Sequence, residues 1–249
     1  MGKFTSGQDA WIAGLGQVRD AVRQTLVARQ LREHIDRPLD VLDVGCGQGS
    51  QAIALARDGH TVTGLDTSDE MLAEAERSAA GEPADVRERL RFAHGDALEL
   101  GAGGHDLVCC HGVTMYLPGI EELAGSLVAA TRDGGLVSLL TRNRAGIAMR
   151  AGMQGDWDAA LAGFDATHYT NRLGVQDARA DDPAAVRTAL ADAGAETIAW
   201  YGVRLFTDHW PGGDPPPDME QLLAAEDEAG RRDPYRALAA LTHTIARKR

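Results

Sequence analysis

Residues 41–50 read Val-Leu-Asp-Val-Gly-Cys-Gly-Gln-Gly-Ser. Glycines at 45, 47 and 49 alternate directly behind an apolar run that carries one carboxylate, Asp43. A glycine turn between a strand and a helix lets a ligand touch backbone. A phosphate cradle needs Gly-Lys-Ser/Thr after such a turn, and here Gln48, Gly49 and Ser50 follow Gly47. The dinucleotide fingerprint needs glycine where Ser50 stands. Asp43 would repel a pyrophosphate but could accept hydrogen bonds from an ammonium group. The turn therefore asks for a nucleoside with a cationic tail.

Other residues could do chemistry, each against a plainer alternative. Asp43 itself could be an edge-of-strand carboxylate taking backbone N–H groups. Asp66 and Asp96 each end an apolar run, where a carboxylate can bind a ligand or cap the next helix. Met71 suits a core or an adenine face. His111 follows an apolar run and is open as a general base, a cofactor contact or a structural residue. Cys109, Cys110 and His111 are consecutive and cannot easily converge on one metal ion, and no C-x-x-C pair occurs, so no metal is expected. The stretch 141–150 carries Arg142, Arg144 and Arg150 without an acid, either a solvated face or an anion site.

These residues need elements to position them. Trp11, Leu15, Val18, Val22 and Leu26 form one apolar stripe, predicting a helix over 8–36. Strands are predicted over 39–45, 60–66, 89–96, 105–112 and 134–143, with helices over 50–59, 68–80 and 119–131. Strand and helix alternate, which implies parallel strands and right-handed crossovers, an α/β doubly wound sheet. Residues 144–182 read as an insertion with a helix near 155–164. A helix over 183–193, a strand over 196–206, two short helices and a last strand over 241–249 complete one domain. Helix 8–36 and the insertion are expected to cover the acceptor pocket.

The chain has 249 residues, 44% of them hydrophobic, enough for one domain with a real core. No stretch approaches a membrane span. The amino terminus has no signal-like pattern. Three cysteines, two adjacent, make a poor disulfide framework and fit reduced cytoplasm. The net charge of −12 disfavours non-specific binding to nucleic acid.

"VLDVGCGQG", "VTGLDTS", "HGDALEL" and "HDLVCCHGVTMYLP", in that order, resemble the four motifs of class I S-adenosylmethionine-dependent methyltransferases. The resemblance implies a Rossmann-like, mostly parallel seven-stranded sheet and S-adenosyl-L-methionine as cofactor. It assigns Asp43, Gly45, Cys46, Gly47 and Gly49 to the first cofactor contact, and Asp66 with Thr67 to the ribose. Met71, Asp96 and Ala97 fall to the adenine and His111 to the methyl-donor loop. A closer resemblance reaches both ends. "LGQVRDAVR", "GVRLFTDHW" and "RRDPYRALAALTHTIARKR" resemble the bacterial tRNA 5-carboxymethoxyuridine methyltransferase family, which esterifies a wobble uridine. It implies Arg19 at the cofactor carboxylate and, through the matched "GVRLF", Arg204 at the acceptor, with Arg142, Arg144 and Arg150 after the fifth strand as the other acceptor-binding candidates. A tRNA wobble uridine and a small molecule are both open as acceptor, as is a non-catalytic cofactor-binding protein.

Overall fold

The computed structural model describes residues 17–171 and 174–249. Helix α1 runs Val18–Arg32, and residues 8–16 of the expected first helix, with Trp11 and Leu15, lie outside the described residues. Val18, Val22 and Leu26 face inward, as their spacing predicts. Gln30 continues the stripe and is also fully buried.

Strands β1 (Asp40–Val44), β2 (Thr61–Asp66), β3 (Leu90–His94), β4 (His105–His111) and β5 (Thr131–Arg142) are parallel. Two-residue strands β6 (His168–Tyr169) and β7 (Ala178–Arg179) pair with each other in the insertion. Strand β8 (Ala195–Val203) and β9 (Leu241–Lys248) complete the main sheet, in the order β3-β2-β1-β4-β5-β9-β8. Within this sheet β9 runs against the other six strands and so pairs antiparallel with β5 and β8. This is the doubly wound sheet that the alternation predicts, mostly parallel and seven-stranded as the resemblance implies.

Successive residues of a strand point to opposite faces. Val41, Leu107, Cys109, Leu136 and Ile245 pack together with Leu31 of α1 and with α2 (Ser50–Arg57). Leu42, Val44, Val108, Cys110, Val137 and Leu139 pack on the other face with α5 (Glu121–Ala130) and α8 (Pro183–Asp192). The adjacent thiols of Cys109 and Cys110 therefore enter different cores. The intervening helices are α3 (Asp69–Ala80) and the one-turn α4 (Ala84–Arg87). In the insertion, α6 (Ala145–Met153) is followed by α7 (Trp157–Gly163). The chain ends with α9 (Met219–Arg231), α10 (Tyr235–Leu238) and β9.

Several boundaries differ from the sequence reading, three of them notably. Strand β5 begins at Thr131, not residue 134, because Thr131 pairs with His105 across a register shift. Strand β8 stops at Val203, because Arg204 turns to the left-handed region at φ +62°. Helix α9 is 13 residues long rather than short. Helix α1 is also more than a cover, since Val22 and Leu26 are fully buried against Leu140 of the sheet. Among the described residues, no helix is long and apolar enough to cross a membrane.

Candidate active site

The carboxyl ends of β1, β2 and β4 open on a cavity of about 890 Å³. At its floor the glycine turn folds back on β2. The amides of Gly45 and Cys46 both donate to the Leu65 carbonyl, at 2.8 and 2.9 Å, and the Gly47 amide donates to Asp66 Oδ2 at 2.9 Å. Gly45 has φ +71°, a region open to glycine. A side chain there would also run into Val113. Gly49 ends the turn at φ +82°, where a Cβ would lie 3.0 Å from Ala75 and 3.1 Å from Phe92.

Of the residues expected at a cofactor, Asp43, Gly45, Cys46, Gly47, Asp66, Thr67, Met71, Asp96, Ala97 and His111 line this cavity. Gly49 does not; it is the close contact between turn, α3 and β3. Asp66 also accepts from the Ser68 amide at 2.9 Å, while Ser68 caps α3 by accepting from Met71 N at 3.3 Å. Asp96 accepts from Leu98 N at 2.9 Å, so it closes a turn and caps no helix.

Arg19 is not among the residues that line the cavity. Its guanidinium donates to the Trp210 carbonyl, and the start of α1 is tied to the 210–213 loop by Val18 N to Gly213 O at 2.9 Å. Arg23, one turn further along α1, lines the cavity instead.

Asp43 is 2% exposed, and Oδ1 accepts from Gln51 Nε2 at 3.1 Å. Among the described residues no group bonds its Oδ2. Burial, reinforced by the nearby Asp66 charge, raises its pKa from 3.8 to about 7, against the pull of Arg23. A buried carboxylate oxygen without a donor costs free energy until a donor arrives. An ammonium group in the cavity would supply one, so the site fits the charged tail of S-adenosylmethionine.

His111 does not stand free. Nδ1 meets Gln51 Oε1, and Nε2 lies 2.8 Å from Ser138 Oγ. Burial, with His243 and Arg23 nearby, holds its pKa well below the usual histidine range. Both nitrogens are engaged and the ring stays neutral, an arrangement unlike the general base that its position suggested.

The arginines beyond β5 are not without an acid in space. Arg142, 4% exposed, donates through Nη1 to Asp208 Oδ2 at 3.1 Å. Arg204 Nη2 lies 3.2 Å from Asp208 Oδ1. Burial pushes Asp208 up, but the charges of Arg204, Arg142 and Arg150 outweigh it and hold the carboxyl below its ordinary range. Arg150 is the third charge here, and Arg144 is the N-cap residue just before α6. Arg142 also lies 5.1 Å over the Tyr169 ring. Tyr169 OH points to Met115 Sδ at 3.8 Å, and the next residue, Tyr116, lines the cavity. Arg142 and Arg204 thus share one carboxylate, and the charge of Arg150 is near enough to act on it.

One functional element went unread. Glu226 of α9, 1% exposed, accepts from the amides of Leu205, Phe206 and Thr207 at 2.7, 3.1 and 2.9 Å, and from Thr207 Oγ1 at 2.7 Å. It folds the loop that carries Arg204 and Asp208. A glutamate on the inward stripe of an otherwise apolar helix face, three residues after Leu223, was its signal.

The strand order, the glycine turn and the cavity define a class I S-adenosylmethionine-dependent methyltransferase. Residues 41–135 match the family model described as "Methyltransferase domain". The chain is 30% identical over 237 residues to the tRNA 5-carboxymethoxyuridine methyltransferase of Escherichia coli (strain K12), covering 94% of this chain and 89% of that one. It belongs to the family of that enzyme. By contrast, the ubiquinone biosynthesis O-methyltransferase of Vibrio parahaemolyticus, 36% identical, matches over 104 residues, 42% of this chain and 44% of its own. Among solved structures, the magnesium protoporphyrin IX methyltransferase of Synechocystis PCC 6803 with bound S-adenosylhomocysteine shares the fold. Its TM-score is 0.66 at 19% identity, over 98% of this chain and 95% of that one.

Proposed function

We propose that this methyltransferase esterifies the carboxylate of 5-carboxymethoxyuridine in tRNA, in the cytoplasm. The observation that carries the reading is the surplus of positive charge where Arg142, Arg150 and Arg204 act on Asp208. A guanidinium presents paired N–H donors that match a carboxylate. The family relationship runs the length of the chain, beyond the cofactor core.

S-adenosylmethionine, when bound, supplies an electrophilic methyl group. The protein's residues bind and aim. Asp43 receives the ammonium, Arg23 the cofactor carboxylate, Asp66 the ribose hydroxyls, and Asp96 with Met71 the adenine. Arg142, Arg150 and Arg204 orient the acceptor. A carboxylate is already anionic at neutral pH, so it needs orientation and desolvation rather than a base. A neutral His111 with both nitrogens engaged agrees with that chemistry. A small carboxylate acceptor is the second reading, favoured by the net charge of −12.

The test compares tRNA nucleosides of a deletion strain and its parent by mass spectrometry. The reading expects loss of the methyl ester and its return on complementation. An unchanged profile, in a strain that makes the carboxymethoxy precursor, rejects it in favour of a small molecule.

A further inference from the structure

Six polar side chains from six different elements, three lining the cavity and three buried behind it, connect end to end. Gln30 of α1 meets His243 Nδ1 of β9 at 2.8 Å. His243 Nε2 lies 2.8 Å from Ser138 Oγ of β5, which lies 2.8 Å from His111 Nε2 of β4. His111 Nδ1 meets Gln51 of α2, and Gln51 Nε2 reaches Asp43 of β1. Gln30, Ser138 and His243 are fully buried, and none of the three lines the cavity.

The end groups give this chain a direction. An ionised Asp43 only accepts, so Gln51 donates with its amide nitrogen and turns its oxygen to His111. His111 must then carry its proton on Nδ1 and accept at Nε2. Ser138 donates to that nitrogen and accepts from His243 Nε2–H. His243 Nδ1 is left as an acceptor. Gln30 Oε1 faces Nδ1 while Nε2 is buried without a partner, and exchanging the two amide atoms gives Nδ1 a donor. Every donor then points toward Asp43, and aligned hydrogen bonds polarise one another in the same sense.

We propose that Gln30, His243 and Ser138 are positioning residues. They set the tautomer of His111 and, through Gln51, the aim and ionisation of Asp43 toward the cofactor. The inference rests on the reading of Asp43 as the ammonium's partner. Besides Gln51, the charged and titratable groups around Asp43 and His111 are Arg23 of α1, Asp66 at the end of β2, His243 of β9, and the thiols of Cys46, Cys109 and Cys110. Burial also takes His243 down to a pKa of about 3, so both rings are neutral across the physiological range.

Long-range nitrogen–proton NMR on the ¹⁵N-histidine-labelled wild-type protein reads the tautomers directly. The expected result is Nδ1–H on His111 and Nε2–H on His243, with neither ring titrating between about pH 6 and 8.5. The opposite tautomer on either ring, or protonation in that range, overturns the proposal. The coupling to Asp43 is read from S-adenosylhomocysteine binding by calorimetry. Ser138→Ala should leave His111 in mixed tautomers and weaken binding several-fold at pH 7, with most of the loss recovered at pH 8.5. Ser138→Thr, which keeps the hydroxyl, should restore the wild-type profile. Unchanged affinity and pH profile in a folded Ser138→Ala protein would sink the positioning role. If Asp43→Asn also binds normally, the fault lies in the reading of Asp43 and not in the relay.

Discussion

Asp43 carries a pH dependence whose sign follows from its surroundings. Its carboxyl is raised by burial and by Asp66 from 3.8 to about 7 in the folded chain. Between those values the folded state holds a proton that the unfolded state has released. The ligand-free protein therefore loses stability as pH rises through about 4 to 7. An ammonium donor at Oδ2 favours the ionised form. The rise in melting temperature on adding S-adenosylhomocysteine should grow from pH 6 to pH 8, and in Asp43→Asn it should be smaller and flat. A shift that shrinks with pH would contradict the assignment. Asp66 makes a different prediction, because it holds the turn as well as lining the cavity where the proposed function puts the ribose. Asp66→Ala removes a charged acceptor from the ribose, costing about 1.5–3 kcal/mol of binding. It also strands the amides of Gly47 and Ser68. Calorimetry should show weaker binding together with a lower melting temperature. Asp66→Asn, which keeps one oxygen, should fall between. Wild-type affinity in a folded Asp66→Ala protein would reduce Asp66 to a turn residue.

At the scale of elements, the loop after β8 connects α9 to the acceptor arginines. Glu226 satisfies three consecutive amides and one hydroxyl there, so its replacement acts through the loop and not by direct contact. Glu226→Gln turns an N–H₂ toward backbone donors and should cost about 1–3 kcal/mol of stability. On the proposed function, the KM for the acceptor should rise while S-adenosylhomocysteine affinity holds. A parallel loss of both would mean general damage. This loop also shows why the two halves of the site differ in legibility. The cofactor half is written in short runs, since Asp43, Asp66 and Asp96 each stand at the carboxyl end of a strand next to their turn. The acceptor half is assembled from afar. Asp208 answers Arg142 from 66 positions away, so the run 141–150 looks unpaired in sequence. Arg19 and Arg23 lie on the same side of α1, and helical phase cannot choose between them. The choice depends on about 6 Å along the axis, set by the contact of Arg19 with Trp210. Gln30, Ser138 and His243 sit at positions that periodicity marks as core, and only their polarity hints at the relay.

For the whole molecule, the net charge of −12 bears on how an RNA could be held. Attraction to the phosphate backbone scales with the number of phosphates met by Lys and Arg. The chain has 25 Lys and Arg against 37 Asp and Glu. Many of its arginines are already committed, as Arg32 is to Asp58, Arg57 to Glu82 and Arg231 to Glu33 and Asp227. The charge balance therefore disfavours a broad basic footprint. Recognition on the proposed function must concentrate on the modified base and on Arg142, Arg150 and Arg204. Two outcomes follow. An isolated anticodon stem-loop carrying 5-carboxymethoxyuridine should have a KM within a few-fold of the full tRNA. The dependence of that KM on salt should be shallow, a log–log slope of roughly 1–2, as expected for about two neutralised phosphates on a single strand. Steady-state methylation of both substrates between 50 and 200 mM salt, a range over which broad phosphate contacts weaken steeply, measures the two together. A stem-loop that is about 100-fold worse than full tRNA, with a steep slope, would place recognition in an extended RNA surface and refute the local model. On the proposed function, which puts Arg204 at the carboxylate and not along the RNA, Arg204→Ala should lower turnover on both substrates equally.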